Sequence, residues 1–153
     1  MEQITITKEF TWDMAHMLAG HLGLCKNLHG HTYKMQVEIC NKKDSVCERQ
    51  DMVMDFKDLK DIIKEKIIDS FDHSFAYWKG SDDPVEIQIA DALTKNGRRV
   101  VPLDFRPTAE KMAIYFHELI KEDFESKGFE IKKIKLWETP TSYAEYTSEG
   151  KHD

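Results

Sequence analysis

Residues 33–40 alternate without a break: Tyr33, Met35, Val37 and Ile39 fall on one face, and Lys34, Gln36 and Glu38 on the other. Period-two patterning describes a strand with one buried and one solvated face. Such a surface has to be covered by another layer of the fold. Residues 4–12 behave the same way, with Ile4, Ile6, Lys8, Phe10 and Trp12 alternating with Thr5, Thr7, Glu9 and Thr11. Between the two lies a connection rich in Gly and His, residues 20–30. Two strands around such a loop predict a hairpin that carries a site.

The remaining pattern supplies the covering layer. Asp55 reads as a helix N-cap, followed by Phe56, Leu59, Ile62, Ile63 and Ile67 at helical spacing. Pro107 announces a second helix, with Glu110 early, Met112, Tyr115, Phe116, Leu119 and Ile120 on one face, and Gly128 as its stop. Residues 129–137 predict a further strand whose apolar phase slips between Ile131 and Ile134, the mark of a bulge. Residues 143–146 are placed to pair with it. Within residues 83–103, a short helix after Pro84 and a short strand over residues 99–103 are expected. The fold class is α+β: an antiparallel sheet with helices on one face, in a single domain over residues 1–153.

Composition narrows the function. Lys and Arg number 22 against 28 Asp and Glu, a net charge of −6. Nucleic-acid binding draws most of its affinity from Lys and Arg on phosphates, so no nucleic-acid partner is expected. No apolar run approaches a membrane span, and the first residues lack the basic and apolar regions of a signal peptide. No membrane association and a cytoplasmic location are therefore expected. Three cysteines, Cys25, Cys40 and Cys47, argue against a disulfide framework.

The chemistry concentrates in the first third of the chain. In His29-Gly30-His31, residues two apart on an extended chain point the same way, so both imidazoles reach one ion. His16, at the end of the first strand, faces the same place if the strands pair. Three imidazoles with an open fourth position describe a catalytic zinc site. Cys25, four residues before the pair, is either a fourth ligand that closes the site or a thiolate acting beside it as a base. Asp72-His73 offers a histidine held by a carboxylate as a proton relay, or else a histidine on a helix dipole. Glu138, at the end of a strand, could accept from a planar pair of donors.

Taken in order, these pieces resemble the 6-pyruvoyl-tetrahydropterin synthase and 6-carboxy-tetrahydropterin synthase family. The matching residues are Phe10, Ala15-His16, Cys25 through Tyr33, Met52-Val53-Met54-Asp55-Phe56, Asp72-His73, Pro107-Thr108-Ala109-Glu110 and Glu138-Thr139. The resemblance implies a tunnelling fold, in which ββααββ subunits form a barrel as trimers that stack into hexamers. It implies zinc on His16, His29 and His31, and Cys25 as the catalytic proton acceptor. His73 with Asp72 is then a catalytic relay, and Glu138 anchors a pterin, with Thr108 and Glu110 nearby. The substrate implied is a small pterin triphosphate, 7,8-dihydroneopterin triphosphate. Its charge calls for a basic cluster, for which Lys26, Arg98 and Arg106 are the candidates.

Three residues separate Cys25 from the His-Gly-His triplet. That gap is similar to the carboxy branch of the family, which makes 6-carboxytetrahydropterin, acetaldehyde and triphosphate for queuosine (7-deazaguanine) synthesis. The pyruvoyl branch is the alternative product class, and a non-catalytic zinc-binding domain the alternative protein class. The chain departs from the pattern at Ala76-Tyr77, where relatives continue towards Leu-Asn, at Asp51, where a glycine is usual, and in the long connection over residues 74–106.

Overall fold

The computed structural model describes residues 4–42 and 52–148; Cys47 and Asp51 lie outside them. Strands β1 (Ile6–His16) and β2 (His29–Asn41) pair antiparallel along their whole length, from Ile6 opposite Ile39 to His16 opposite His29. The hairpin is thus longer than the alternating stretches, and the histidines belong to the strands themselves. Asp55 caps α1 (Phe56–Ile63) by accepting the Lys57 N–H at 2.8 Å. The chain then continues through a π segment (Lys64–Ile68) and one turn, α2 (Asp69–Phe71). Leu59, Ile63, Ile67 and Phe71 are all buried. Strict four-residue spacing drifts about 40° per step around an α-helix. The wider π turn takes up that drift and keeps the row on the core. Phe56, at the first helical position, is instead half exposed.

The long connection folds into β3 (Ser74–Trp78), α3 (Pro84–Lys95) and β4 (Val100–Leu103). Asp83 caps α3, and Pro84 opens it. Strand β3 was not legible in the sequence, because Ser-Phe-Ala-Tyr-Trp is too short to show a period. After Arg106-Pro107, Thr108 caps α4 (Ala109–Glu125), and Gly128, with φ 87°, ends the turn beyond it. Strands β5 (Phe129–Thr139) and β6 (Ser142–Tyr146) complete an open six-stranded sheet in the order β4-β3-β1-β2-β5-β6.

The β1, β2, β5 and β6 meander is antiparallel, and the expected bulge lies in β5, where pairing with β2 passes from Lys133 to Ile131. Strands β3 and β4 extend this sheet in parallel beyond β1. Trp12, Met14, Tyr33, Met35, Val37 and Ile39 bury one face against α1, the π segment and α4 in the main core. On the other face, Met17 and Phe75 pack with Ala90 of α3 in a second cluster. No helix among the described residues is long and apolar enough to cross a membrane.

Candidate functional site

Strand register alone assembles the three histidines. His16 stands directly opposite His29, and Met14 opposite His31, so all three side chains leave the sheet on the core face, just past the last apolar row. Their ring centroids are 4.5 Å (His16–His29), 5.3 Å (His16–His31) and 5.0 Å (His29–His31) apart. Tyr33, stacked on Trp12, forms the floor beneath them. Gly30 sits opposite Ala15, where an added Cβ would come within 3.2 Å of the Met14 carbonyl oxygen. The glycine between the histidines therefore serves the close approach of the strands.

Neighbouring carbonyls orient the rings. The His16 Nδ1–H donates to the Pro107 carbonyl at 3.0 Å, with the Tyr33 hydroxyl 3.1 Å from the same nitrogen. The His29 Nδ1–H donates to the Asn27 carbonyl at 2.8 Å. With those protons placed, both Nε2 atoms present lone pairs, and they face each other at 2.9 Å. Two acceptors at that separation repel, and either a shared proton or a bound cation relieves them. Burial, and then the neighbouring His29, hold the His16 pKa down at about 4, so the ring is neutral and available as a ligand. His31 Nε2 is buried and makes no hydrogen bond, although Glu138 Oε1 lies 3.2 Å away. The three ligand nitrogens lie within 4.8 Å of one another. A three-imidazole donor set with an unsatisfied buried nitrogen fits a zinc-type ion.

Cys25 is not in that group. It lies half-buried in a short 3-10 turn (Leu24–Lys26), its carbonyl accepting the Leu18 N–H at 2.9 Å. The register between β5 and β6 skips Glu138, an irregularity of the kind that re-aims a side chain next to a site. Burial, and then the Glu138 carboxylate, pushes the Tyr33 phenol pKa up.

The second expected pair forms on the other side of the hairpin. Asp72 Oδ1 is 2.9 Å from His73 Nδ1 and accepts the Asp13 N–H at 3.1 Å. Burial opposes the Asp72 charge, but the Asp13 N–H, the His73 ring and Arg99 outweigh it and hold the carboxyl below its usual range. A cavity of about 480 Å³ has His73 and His31 in its wall, together with Asp13, Gly30, Thr32 and Ser74 among others. A second cavity, of about 560 Å³, lies on the Glu138 side, with His31, Lys34 and Trp137 in its wall.

Thr108 spends its hydroxyl on the α4 cap, and Glu110 is exposed in the same first turn; neither lines these two cavities. Of the basic candidates, Arg106 lies over the Trp78 ring at 5.5 Å, while Lys26 and Arg98 are exposed. Four contributors escaped the sequence: Asp13, Tyr33, Arg99 and the Pro107 carbonyl. Only Tyr33 carried a signal, as the residue two beyond His31 on the same face.

A family model described as 6-pyruvoyl tetrahydropterin synthase matches residues 5–149. A Haemophilus influenzae protein named 6-carboxy-5,6,7,8-tetrahydropterin synthase is 46% identical, covering 92% of this chain and 96% of that one. Among solved structures, an uncharacterised Wolinella succinogenes protein superposes with a TM-score of 0.79 at 22% identity, over 95% of this chain and 98% of that one. A Caenorhabditis elegans 6-pyruvoyl tetrahydropterin synthase does so at 0.65 and 22% identity, over 94% of each chain. The chain belongs to the 6-pyruvoyl tetrahydropterin synthase family and is an enzyme of that family.

Proposed function

We propose that the chain is a 6-carboxy-5,6,7,8-tetrahydropterin synthase, a zinc-dependent lyase of the cytoplasm in the route to queuosine. It converts 7,8-dihydroneopterin triphosphate and water to 6-carboxytetrahydropterin, acetaldehyde and triphosphate. The observation that carries this reading is the trio His16, His29 and His31, built by register into an open donor set, in a chain whose near-full-length Haemophilus relative bears that name.

His16, His29 and His31 would hold the zinc, which supplies Lewis acidity towards the side-chain hydroxyls of the substrate. Glu138 accepts the two parallel N–H groups of the pterin's aminopyrimidinone edge, a pairing suited to a carboxylate. Its carboxylate beside His31 and in the wall of a cavity supports that assignment. Thr108 and Glu110 would add contacts to the pterin from the first turn of α4, which follows the Pro107 carbonyl that orients His16. Cys25 takes a proton from the substrate's carbon chain, and His73, steadied by Asp72, moves one on the other side. The absence of Cys25 from the compact donor group favours a base over a fourth ligand.

Trimers stacked into hexamers are part of the same reading. Leu22, Leu24 and Leu28 are exposed around Cys25, as expected of a loop that a neighbouring copy covers.

The test is incubation with dihydroneopterin triphosphate and identification of the products. Acetaldehyde with 6-carboxytetrahydropterin is expected. A pyruvoyl pterin without acetaldehyde would move the assignment to the sister activity. Loss of zinc in Cys25→Ala would make the centre a closed structural site.

A further inference from the structure

Among the described residues, His73 is the one non-glycine with left-handed backbone, at φ 61°. An L residue keeps that conformation only where its surroundings over-determine it. Two elements do so here. On one side, the Asp13 carbonyl of β1 accepts the His73 N–H at 2.7 Å, while the Asp13 N–H donates to the Asp72 carboxylate. On the other side stands Arg99, immediately before β4. Its guanidinium Nη1 donates to the Asp72 carbonyl at 2.6 Å, and its own carbonyl accepts the Phe75 N–H at 3.1 Å. Arg99 thus grips the chain on both sides of His73.

The excursion over residues 74–103 is what brings Arg99 there. Strand β4 pairs with β3 from Phe75 opposite Val100 to Trp78 opposite Leu103. Helix α3 is tied to the same strand by the buried Glu86, whose carboxylate accepts the Trp78 N–H at 3.0 Å. Phe75 and Ala90 pack this unit together. The charged and titratable groups facing the Asp72 carboxylate are Asp13, His73 and Arg99.

We propose that residues 74–103 form a buttress for the relay, in which Arg99 is a positioning residue that holds His73 in its left-handed conformation with its ring against the Asp72 carboxylate. This rests on the proposed role of His73. Arg99 acts through Asp72 and His73 and does not touch substrate.

The test uses Arg99→Met and Arg99→Lys in the full-length zinc-loaded protein; the side chain is exposed, so the fold should survive both. Arg99→Met should lower kcat about tenfold with KM within about twofold of the parent, because geometry and not binding is lost. The acid limb of its kcat profile should move to higher pH, since Asp72 loses a cationic neighbour. Arg99→Lys should restore part of both. In 15N-histidine NMR spectra, the His73 ring signals should change tautomer balance or titration in Arg99→Met. A KM raised about tenfold with kcat unchanged would make Arg99 a triphosphate contact and overturn the proposal. So would unchanged kcat and an unchanged His73 spectrum, or lowered activity that tracks a lowered Tm without movement of the acid limb. If the parent protein releases no acetaldehyde, the proposed function has failed on its own, and the His73 spectrum alone decides the buttress.

Discussion

The histidine trio and the Asp72–His73 pair hold their imidazoles by opposite means. In the trio, one strand register puts three side chains on one face, carbonyls fix two of the rings, and an aromatic floor lies below. His73 projects from an exposed turn, with its side chain 74% accessible, and its place comes from backbone bonds to β1 and to the run into β4. The difference suits the proposed division of labour. A metal ligand has to be rigid and oriented before the ion arrives. A proton carrier needs reach, and its ring has to meet both Asp72 and the substrate.

Removing a ligand should have the largest effect. His29→Ala is expected to take zinc from one ion per chain to almost none, measured by metal analysis after dialysis, and acetaldehyde release should vanish with it. Retained zinc at full stoichiometry would show that the trio is not the metal centre. Cys25→Ala comes next. Activity should fall roughly 10²–10⁴-fold, the span typical of a lost acid–base group, while zinc stays bound. These two variants separate holding from proton transfer within one site.

What was legible in the sequence follows the same division. Alternation along β1 and β2, read with the spacing of His29 and His31, was enough to foresee the trio, because a strand converts sequence parity directly into side-chain direction. Helices α1 and α4 were equally readable from Asp55, Pro107, Gly128 and their apolar rows. In the second region the Asp72-His73 pair was readable, but its supports were not. Asp13 acts through its main-chain N–H and carbonyl, the bond from the Arg99 guanidinium to the Asp72 carbonyl spans 27 positions, and β3 is too short to show a period. Likewise Pro107 signalled the start of a helix, while its carbonyl turned out to orient His16. Order along the chain tied Asp72-His73 to the family; only tertiary bonds explain how the pair is held.

Smaller effects probe the supports of each region. Thr108→Val removes the acceptor for the Lys111 N–H and should cost about 1 kcal/mol of stability in urea unfolding. Zinc stoichiometry should not change, because the Pro107 carbonyl that orients His16 is backbone and remains. Any rise in KM for the pterin should be modest, because Thr108 lines neither cavity beside the trio. Loss of zinc in this variant would mean that the α4 cap, and not the strand register, sets the trio.

The smallest expected effect concerns Asp72 and depends on pH. Its folded-state pKa lies below the usual 3.8, so the ionised carboxylate contributes stability that is fully present above that value. The contribution disappears as the pH falls through the lower folded-state pKa. In Asp72→Asn, the amide oxygen can still accept the Asp13 N–H, but it offers no charge to Arg99 or His73. The stability gap between the parent and Asp72→Asn should therefore be present at about pH 5 and close progressively in more acid solution. Denaturant midpoints across that range measure it. A gap that widened below about pH 5 would mean that the carboxyl is harder to ionise in the fold than in the unfolded chain. Burial would then outweigh Asp13, His73 and Arg99, and the exposed pair would be held by its backbone alone.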